Sequence, residues 1–375
     1  MTLRVAMVGL RAPWGTEGGV EAAVGALAPR LAALGCEVTI YCRRRYNTLG
    51  SGMHNGVRLV DVDTIYTRHL EAIVHTALAA PRAAAGADIV HIHATGPSLL
   101  SWVPRLAGRA TVVTLHGLDW QREKWGLAAR LVLRAGARSA ATFPHRLIAV
   151  GAHLRDHYEE HYGVRPDLIP NGVSPIPTQP LERSGVAGLQ RRRYLLFVGR
   201  LVPEKGLERL MAAYAASGSG MPLVIAGGAT HMEDYRRRLE SLAPPGVLLV
   251  GPRYGEARDA LLSHARAFVL PSTLEGFPLA ALEAMASGLP VLLSDIPPHQ
   301  ELLSGCRPSA GWLVADDEWA DALGAVTSGG WARLAAMGAI GQTHVAEQYS
   351  WDRIAEQTLA TYHAALAQQG QKSGC

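Results

Sequence analysis

Short apolar runs alternate with helix-length stretches rich in Ala, Leu and Arg along all 375 residues. Six runs before the middle predict strands, at 4–8, 37–42, 57–62, 88–93, 111–115 and 146–150. Six more follow, at 194–199, 223–226, 247–250, 267–270, 290–293 and 312–314. Most are Val/Ile/Leu-rich without polar alternation, as expected of parallel strands buried on both faces. The stretches between them, such as 19–34, 207–216 and 278–287, have helical length and composition. This alternation predicts an α/β chain with parallel sheets. The strands divide evenly about 170–188, a linker carrying Pro170, Pro175, Pro177 and Pro180. Two doubly wound, Rossmann-like domains are therefore expected, at 1–175 and 176–350, facing a central cleft. Residues 351–368 read as a helix that packs back on the first domain. Such sheets bind ligands outside the carboxyl ends of their strands.

Composition narrows the class. Apolar residues make up 48% and charged residues 18%, the profile of a well-buried globular chain. No run approaches the ~18 consecutive apolar residues that span a bilayer. The first residues read as a strand and not as a signal peptide. Cys36, Cys42, Cys306 and Cys375 are scattered and form no C-x-x-C, which argues against a disulfide framework or a zinc site. A cytoplasmic location is expected. Residues 1–180 carry 19 Lys+Arg against 13 Asp+Glu, net +6; residues 181–375 carry 17 against 19, net −2. Only Lys124, Lys205 and Lys372 are lysines. A nucleic-acid protein would show a stronger, clustered basic excess, so no nucleic-acid partner is expected. The asymmetry points to two halves with different partners.

Three segments could carry chemistry. The first is the loop from Gly9 to Gly19, where Gly18 and Gly19 open a helix and would let backbone N–H groups approach a phosphate. It is neither a dinucleotide fingerprint nor a Walker loop. The second is Arg200-Leu-Val-Pro-Glu-Lys205-Gly206, two cations at a strand's carboxyl end before a helix, suited to a diphosphate. The third runs from Leu270 to Val291. Its strand ends at Pro271, a loop bears Glu275, and Gly276 and Phe277 lead into a helix with Pro278 in its first turn. Glu283 lies on that helix. A loop carboxylate can hold sugar hydroxyls, first-turn N–H groups can hold phosphate, and a helix carboxylate can bridge a ribose diol.

That third segment, a Glu, seven residues, then a Glu, with Gly-Phe after the first, resembles the donor-site signature of the retaining glycosyltransferases of family four, group 1, which have the GT-B fold. The Arg200–Gly206 turn resembles the family's phosphate-binding turn. Gly18-Gly19-Val-Glu21 is similar to its N-terminal glycine loop, His116-Gly117 to its cleft histidine, and Ile169-Pro-Asn171-Gly172-Val to the close of its first domain. Tyr41-Cys-Arg-Arg-Arg-Tyr46 and Leu115-His-Gly-Leu-Asp-Trp-Gln121 are similar to bacterial polysaccharide-building members, rhamnosyltransferase-like ones included. The resemblance implies a hexose moved from a nucleotide-diphosphate sugar to a glycan, lipid-linked or small-molecule hydroxyl, with no cofactor and no metal. It implies that Glu275 contacts sugar hydroxyls and Glu283 the ribose. Arg200 and Lys205 would hold the diphosphate. Gly276, Phe277, Pro278 and Leu279 would line the donor, with backbone N–H groups of 277–280 on the phosphate. Arg253 would lie near the base, Gly18 and Gly19 by the phosphate or acceptor, and His116 beside the reacting sugar. The +6 would then fall on the acceptor side, pointing to a phosphate-bearing acceptor or to peripheral contact with an anionic inner membrane face.

Two other functions fit the same fold. A nucleotide-sugar 2-epimerase would convert donor without acceptor, and a non-catalytic nucleotide-sugar-binding subunit would bind donor and release no nucleotide. Four further signals are discounted. Asp61-Val-Asp63 could chelate a divalent cation, but the two-sheet plan and its donor site leave no role for it; His91-Ile-His93 could bind zinc, but no carboxylate or cysteine cluster supports it. Arg43-Arg44-Arg45 reads as a solvated turn with a secondary reading as a phosphate or membrane contact. Trp14, Trp120 and Trp125 could stack on sugar or simply pack.

Overall fold

The computed structural model describes residues 2–15, 18–67, 70–123, 125–228 and 232–372. Thr16 and Glu17 of the first glycine loop, Lys124 and Cys375 lie outside them, as does the side chain of Lys372. The chain divides into two units, Met1–Gly172 with Trp351–Cys375, and Val173–Ser350.

The first unit holds eight strands among the described residues: β1 (Leu3–Val8), β2 (Cys36–Arg43), β3 (Gly52–His54), β4 (Val57–Val62), β5 (Ile89–His93), β6 (Ala110–Leu115), β7 (Arg146–Ala149) and β8 (Asp167–Leu168). Their order is β3-β4-β2-β1-β5-β6-β7-β8. Only the β3–β4 pair is antiparallel. β5 and β6 are buried along their whole length, which is why they read as unbroken apolar runs. The helix Trp351–Lys372 belongs to this unit. It buries Ile354, Thr358, Tyr362 and Ala365, one stripe of a 3.6-residue period, beside the helix Gly19–Ala33, where Asp352 pairs with Arg30 at 2.7 Å.

The second unit holds β9 (Leu195–Val198), β10 (Leu223–Ala226), β11 (Val247–Gly251), β12 (Ala267–Leu270), β13 (Val291–Ser294) and β14 (Gly311–Val314). All are parallel, in the order β11-β10-β9-β12-β13-β14. Leu195, Phe197, Phe268 and Leu292 are fully buried between the flanking helices. Both sheets are doubly wound: the order runs outward from β1 and from β9, then reverses at β5 and at β12. Ligand-binding crevices form at such reversals.

All twelve expected strands are present, with ends shifted by a residue or two. β3 and β8 were not expected. β3 carries Gly, Met and His and β8 spans two residues, so neither makes an apolar run. The Arg43–Arg45 expectation is corrected. Arg43 is the last residue of β2, buried, and its guanidinium meets Glu71 at 2.9 Å. Arg44 and Arg45 are both exposed, as a solvated turn requires: Arg44 pairs with Asp63 at 2.8 Å, and Arg45 lies over the Tyr66 ring. A carboxylate distant in sequence is what lets a strand-end arginine go inside.

Candidate active site

In the second unit, the loops after β9 and β12 meet at the reversal. After β9 the chain passes Arg200 and makes a 3-10 turn, Pro203–Lys205. Gly206 follows at φ +65°, and a Cβ there would lie 2.3 Å from the Pro271 carbonyl oxygen. Only glycine permits both that backbone and that approach. The Thr273 N–H donates to the Glu204 carbonyl at 2.9 Å, and Arg209 donates to the Pro271 carbonyl at 2.7 Å. These bonds stitch one loop to the other.

The result is a compact charged cluster. Lys205 Nζ donates to Glu275 Oε1 at 2.5 Å, and Ser272 Oγ donates to the same oxygen at 2.7 Å. Both charged side chains are close to nine-tenths buried. Burial pushes the Glu275 carboxyl up, but the charge of Lys205, His299 and the two donors more than offset it, leaving it below the ordinary value. His299, on the helix Pro297–Ser304, is fully buried behind the cluster, and its Nδ1 lies 2.8 Å from the Ser294 carbonyl. Burial holds this imidazole below its usual range despite the neighbouring Glu275. Its Nε2 is buried without a hydrogen-bond partner.

Glu283 lies apart from that cluster, on the helix Leu279–Ala286. Its Oε1 accepts from Arg258 Nη1 at 2.7 Å, and Arg258 also holds Asp259 at 2.9 Å. Burial, with Asp259 nearby, lifts the Glu283 carboxyl above its ordinary value although Arg258 opposes the shift. Arg253 donates to the Ser184 carbonyl at 3.1 Å. Phe277 is buried, its ring 5.4 Å from that of Tyr349. The helix start is corrected here. Pro278 caps the helix from outside and is not its first residue. The expectation of four backbone donors from 277 to 280 also shrinks, because proline has no N–H and the Leu279 N–H is bonded to the Phe277 carbonyl at 3.1 Å. Ala280 supplies the remaining first-turn donor.

In the first unit, Gly18 caps the helix Gly19–Ala33 as expected. The open anion site does not appear, because Glu21 occupies it: its carboxylate folds back on Gly18 and accepts the Arg11 N–H at 3.3 Å. A carboxylate from within the helix is a favourable occupant of that positive end. At the next reversal stands a row of imidazoles. His91 and His93 lie on β5 with ring centroids 4.1 Å apart, and His93 Nδ1 is 3.2 Å from His116 Nε2. His91 is held by Tyr362 Oη at 2.8 Å and Thr114 Oγ1 at 2.7 Å. Burial lowers His91 to about 3 and His116 to about 4, and takes His93 well below its usual value. The row is uncharged at neutral pH, and His93 Nε2 is buried without a partner. It lines a cavity of about 30 Å³ with Asn171, Trp351 and Thr358, room for about one water.

Arg258, Ser272, His299 and the partnership of His93 with His116 were missed in the sequence. Ser272 stands three residues before Glu275 and could have been found as a local partner. Arg258 and His299 reach their carboxylates only through the tertiary fold. Of the discounted signals, Asp61 accepts from Asn47 at 2.7 Å and Trp120 is buried near His157. No group of three or more His, Cys, Asp or Glu side chains placed to hold a metal ion occurs among the described residues.

Residues 182–328 match the family described as Glycosyl transferases group 1, and residues 17–175 match Glycosyltransferase Family 4. The D-inositol 3-phosphate glycosyltransferase of Nocardia farcinica is 31% identical over 306 residues, covering 74% of this chain and 67% of that one. The alpha-maltose-1-phosphate synthase of Mycolicibacterium smegmatis is 27% identical, over 97% of this chain and all of its own. Among solved structures, Anabaena HepE in complex with UDP and glucose superposes with a TM-score of 0.80 at 18% identity, over 96% of this chain and 100% of that one. Sucrose-phosphate synthase from Thermosynechococcus elongatus reaches 0.78 at 21% identity, over 97% and 99%. The chain belongs to the group 1, family four glycosyltransferases: it is an enzyme that transfers a sugar, built from the two Rossmann-like units of the GT-B fold.

Proposed function

We propose that the enzyme is a retaining glycosyltransferase that moves a hexose from a nucleotide-diphosphate sugar to a hydroxyl of a glycan, lipid-linked or small-molecule acceptor, without a metal. The observation that carries this is the buried Lys205–Glu275–Ser272 cluster at the β9/β12 reversal. Lys205, with Arg200 on the same turn, offers cations to a diphosphate. Glu275, held ionised, offers two acceptor oxygens to sugar hydroxyls. Gly276, Phe277, Pro278 and Leu279 form the wall between the two carboxylates, and the Ala280 N–H and the helix start favour a phosphate oxygen. Glu283 offers its second oxygen to a ribose diol. Arg253 is assigned to the base. In the first unit, Gly18, Gly19 and the neutral His116 are assigned to the acceptor and the reacting sugar.

In this scheme the acceptor hydroxyl attacks the anomeric carbon from the face the diphosphate leaves. The carbon–oxygen bond to phosphate breaks, a glycosidic bond forms, and the acceptor's proton passes to the departing diphosphate oxygen. No separate carboxylate base is required, and the cations stabilise the charge on the leaving group. The names of relatives include UDP- and GDP-linked sugars, so a donor panel of UDP-, GDP-, ADP- and dTDP-sugars is the direct test. Nucleotide release should appear with one donor class, persist in EDTA, and fall at least tenfold in Glu275→Gln, since a hydrogen bond to a charged group is worth ~1.5–3 kcal/mol. Unchanged turnover in that variant overturns the assignment, and loss in EDTA overturns the metal-free scheme.

A further inference from the structure

A second cavity, of about 280 Å³, lies wholly within the unit Val173–Ser350. Ser263 and His264 close the helix Gly255–His264, Ser287 follows the helix Leu279–Ala286, and Arg191 and Arg192 stand just before β9. In a parallel doubly wound sheet the helices begin at the strands' carboxyl ends and finish at the other edge. The cavity is therefore on the edge opposite the donor loops, and none of its lining residues is assigned to sugar transfer. Its volume falls just short of the roughly 300–1,000 Å³ of small-molecule sites. It is far larger than the one-water cavity beside the histidine row.

The lining holds two arginines and no carboxylate. Glu182, whose charge reaches His264, is exposed and lies outside it. Neither Arg191 nor Arg192 has a carboxylate partner among the described residues. Elsewhere in this unit Arg236, Arg237 and Arg238 each pair with one. Arg192 also has a φ of +61°, one of three positive values outside glycine among the described residues. An L-residue takes that left-handed backbone only where its surroundings enforce it. Here the Arg192 N–H donates to the His264 carbonyl at 2.8 Å, Nη1 donates to the Ala265 carbonyl at 2.7 Å, and the guanidinium lies 4.4 Å from the Trp331 ring centroid. A cation fixed in this way is preorganised for an anion.

The other polar groups of the lining offer acceptors. Ser287 Oγ donates its proton to the Glu283 carbonyl at 2.9 Å, and Ser263 Oγ donates its own to the Asp259 carbonyl at 2.7 Å. Gln342 Nε2 donates to the Ala286 carbonyl at 2.8 Å, which leaves its Oε1. Oxygens in that state can only accept. A matching ligand carries an anion for the arginines and donors for these oxygens. An ammonium donor would be repelled by the arginines, so the donors are hydroxyls. Two cations match a phosphate monoester, which carries about −1.5 to −2 at pH 7. We propose that this cavity binds a phosphorylated sugar at a site separate from the donor site, with the phosphate on Arg191 and Arg192 and the sugar hydroxyls on Ser287 and Gln342.

The probes are glucose 6-phosphate and inorganic phosphate, each followed by phosphorus NMR as the full-length enzyme is added. Glucose 6-phosphate should bind at least about tenfold tighter than inorganic phosphate, because only it supplies hydroxyl donors. Arg191→Glu reverses an exposed charge with no carboxylate partner. It should weaken both probes at least about tenfold while keeping the parent's thermal unfolding and nucleotide release. Gln342→Leu should weaken glucose 6-phosphate and leave inorganic phosphate unmoved. Arg200→Gln, on the donor side, should leave both probes bound. No binding of glucose 6-phosphate, or binding that Arg191→Glu does not move, overturns the proposal. Equal affinity for the two probes overturns the sugar assignment, and loss of both in Arg200→Gln returns the ligand to the donor site. The outcome of the donor panel does not bear on these titrations, since the cavity shares no residue with the donor assignment.

Discussion

The two sheet reversals are built on one strand order and filled with opposite electrostatics. At β9/β12 the side chains are paired charges, Lys205 with Glu275 and, along the following helix, Arg258 with Glu283. At β1/β5 they are three neutral imidazoles and a carboxylate, Glu21, that closes its own helix start. The scaffold provides the crevice in both places, and the side chains grafted on it decide what each can bind. A fixed ion pair is suited to a substrate carrying formal charge. A neutral, hydrogen-bonding row suits hydroxyls.

The harshest way to break the charged side is through its backbone. Gly206→Ala places a Cβ against the Pro271 carbonyl and forces a left-handed conformation that costs an L-residue about 1–2 kcal/mol before any overlap. The β9 and β12 loops must then separate, and transfer should fall by more than about a hundredfold. The first unit's histidine row should be untouched. Lys205→Met comes next. It strands Glu275 in a buried position, which costs about 3 kcal/mol or more, whereas the double variant Lys205→Met, Glu275→Gln should recover most of that stability and none of the activity. Equal stability of the single and double variants in urea unfolding would show that the pair is not coupled.

The neutral side should break with acid. His91 and His116 are lowered by burial to about 3 and 4, and His93 falls well below its usual value. Below about pH 6.5 the unfolded chain takes up protons that the folded one does not, so stability is complete above that pH and is lost as pH falls towards 4. Each such histidine costs on the order of 2 kcal/mol at pH 5. The same sign holds for Glu275 in a lower window: its lowered carboxyl adds stability that is lost only as pH falls below the ordinary carboxylate value. Hydrogen exchange between pH 7.5 and 5 should therefore open β5 and β6 well before the loop around Glu275. Parallel loss in both units would remove the distinction.

How much of this could be read from the chain follows the same division. The strands were legible because parallel, doubly covered strands leave unbroken Val/Ile/Leu runs, and β3 escaped because Gly-Met-His leaves none. Glu275 and Lys205 were legible individually, each beside its own glycine at the end of a strand. Their bond was not, since 70 residues separate them and only the strand order brings β9 beside β12. His93 was read as a packed strand histidine, and its bond to His116 follows from the β5–β6 register. Arg43 was misread because burial of an arginine depends on a carboxylate, Glu71, that no local pattern announces.

The finest test concerns Glu283, where the comparison predicts a small effect with a particular signature. Burial lifts its carboxyl although Arg258 is bonded to it, so the folded state gains little from its charge. Glu283→Gln keeps an acceptor oxygen for Arg258, and Arg258 retains Asp259 at 2.9 Å. Stability should therefore change by less than about 1 kcal/mol. If Glu283 holds the ribose, one charged hydrogen bond becomes a neutral one, a loss of about 1 kcal/mol in donor binding. The KM for donor should rise about fivefold with kcat nearly constant, since the contact is the same in the ground and transition states. A fall in kcat at constant KM would move Glu283 from the nucleotide to the reacting sugar and erase its difference from Glu275.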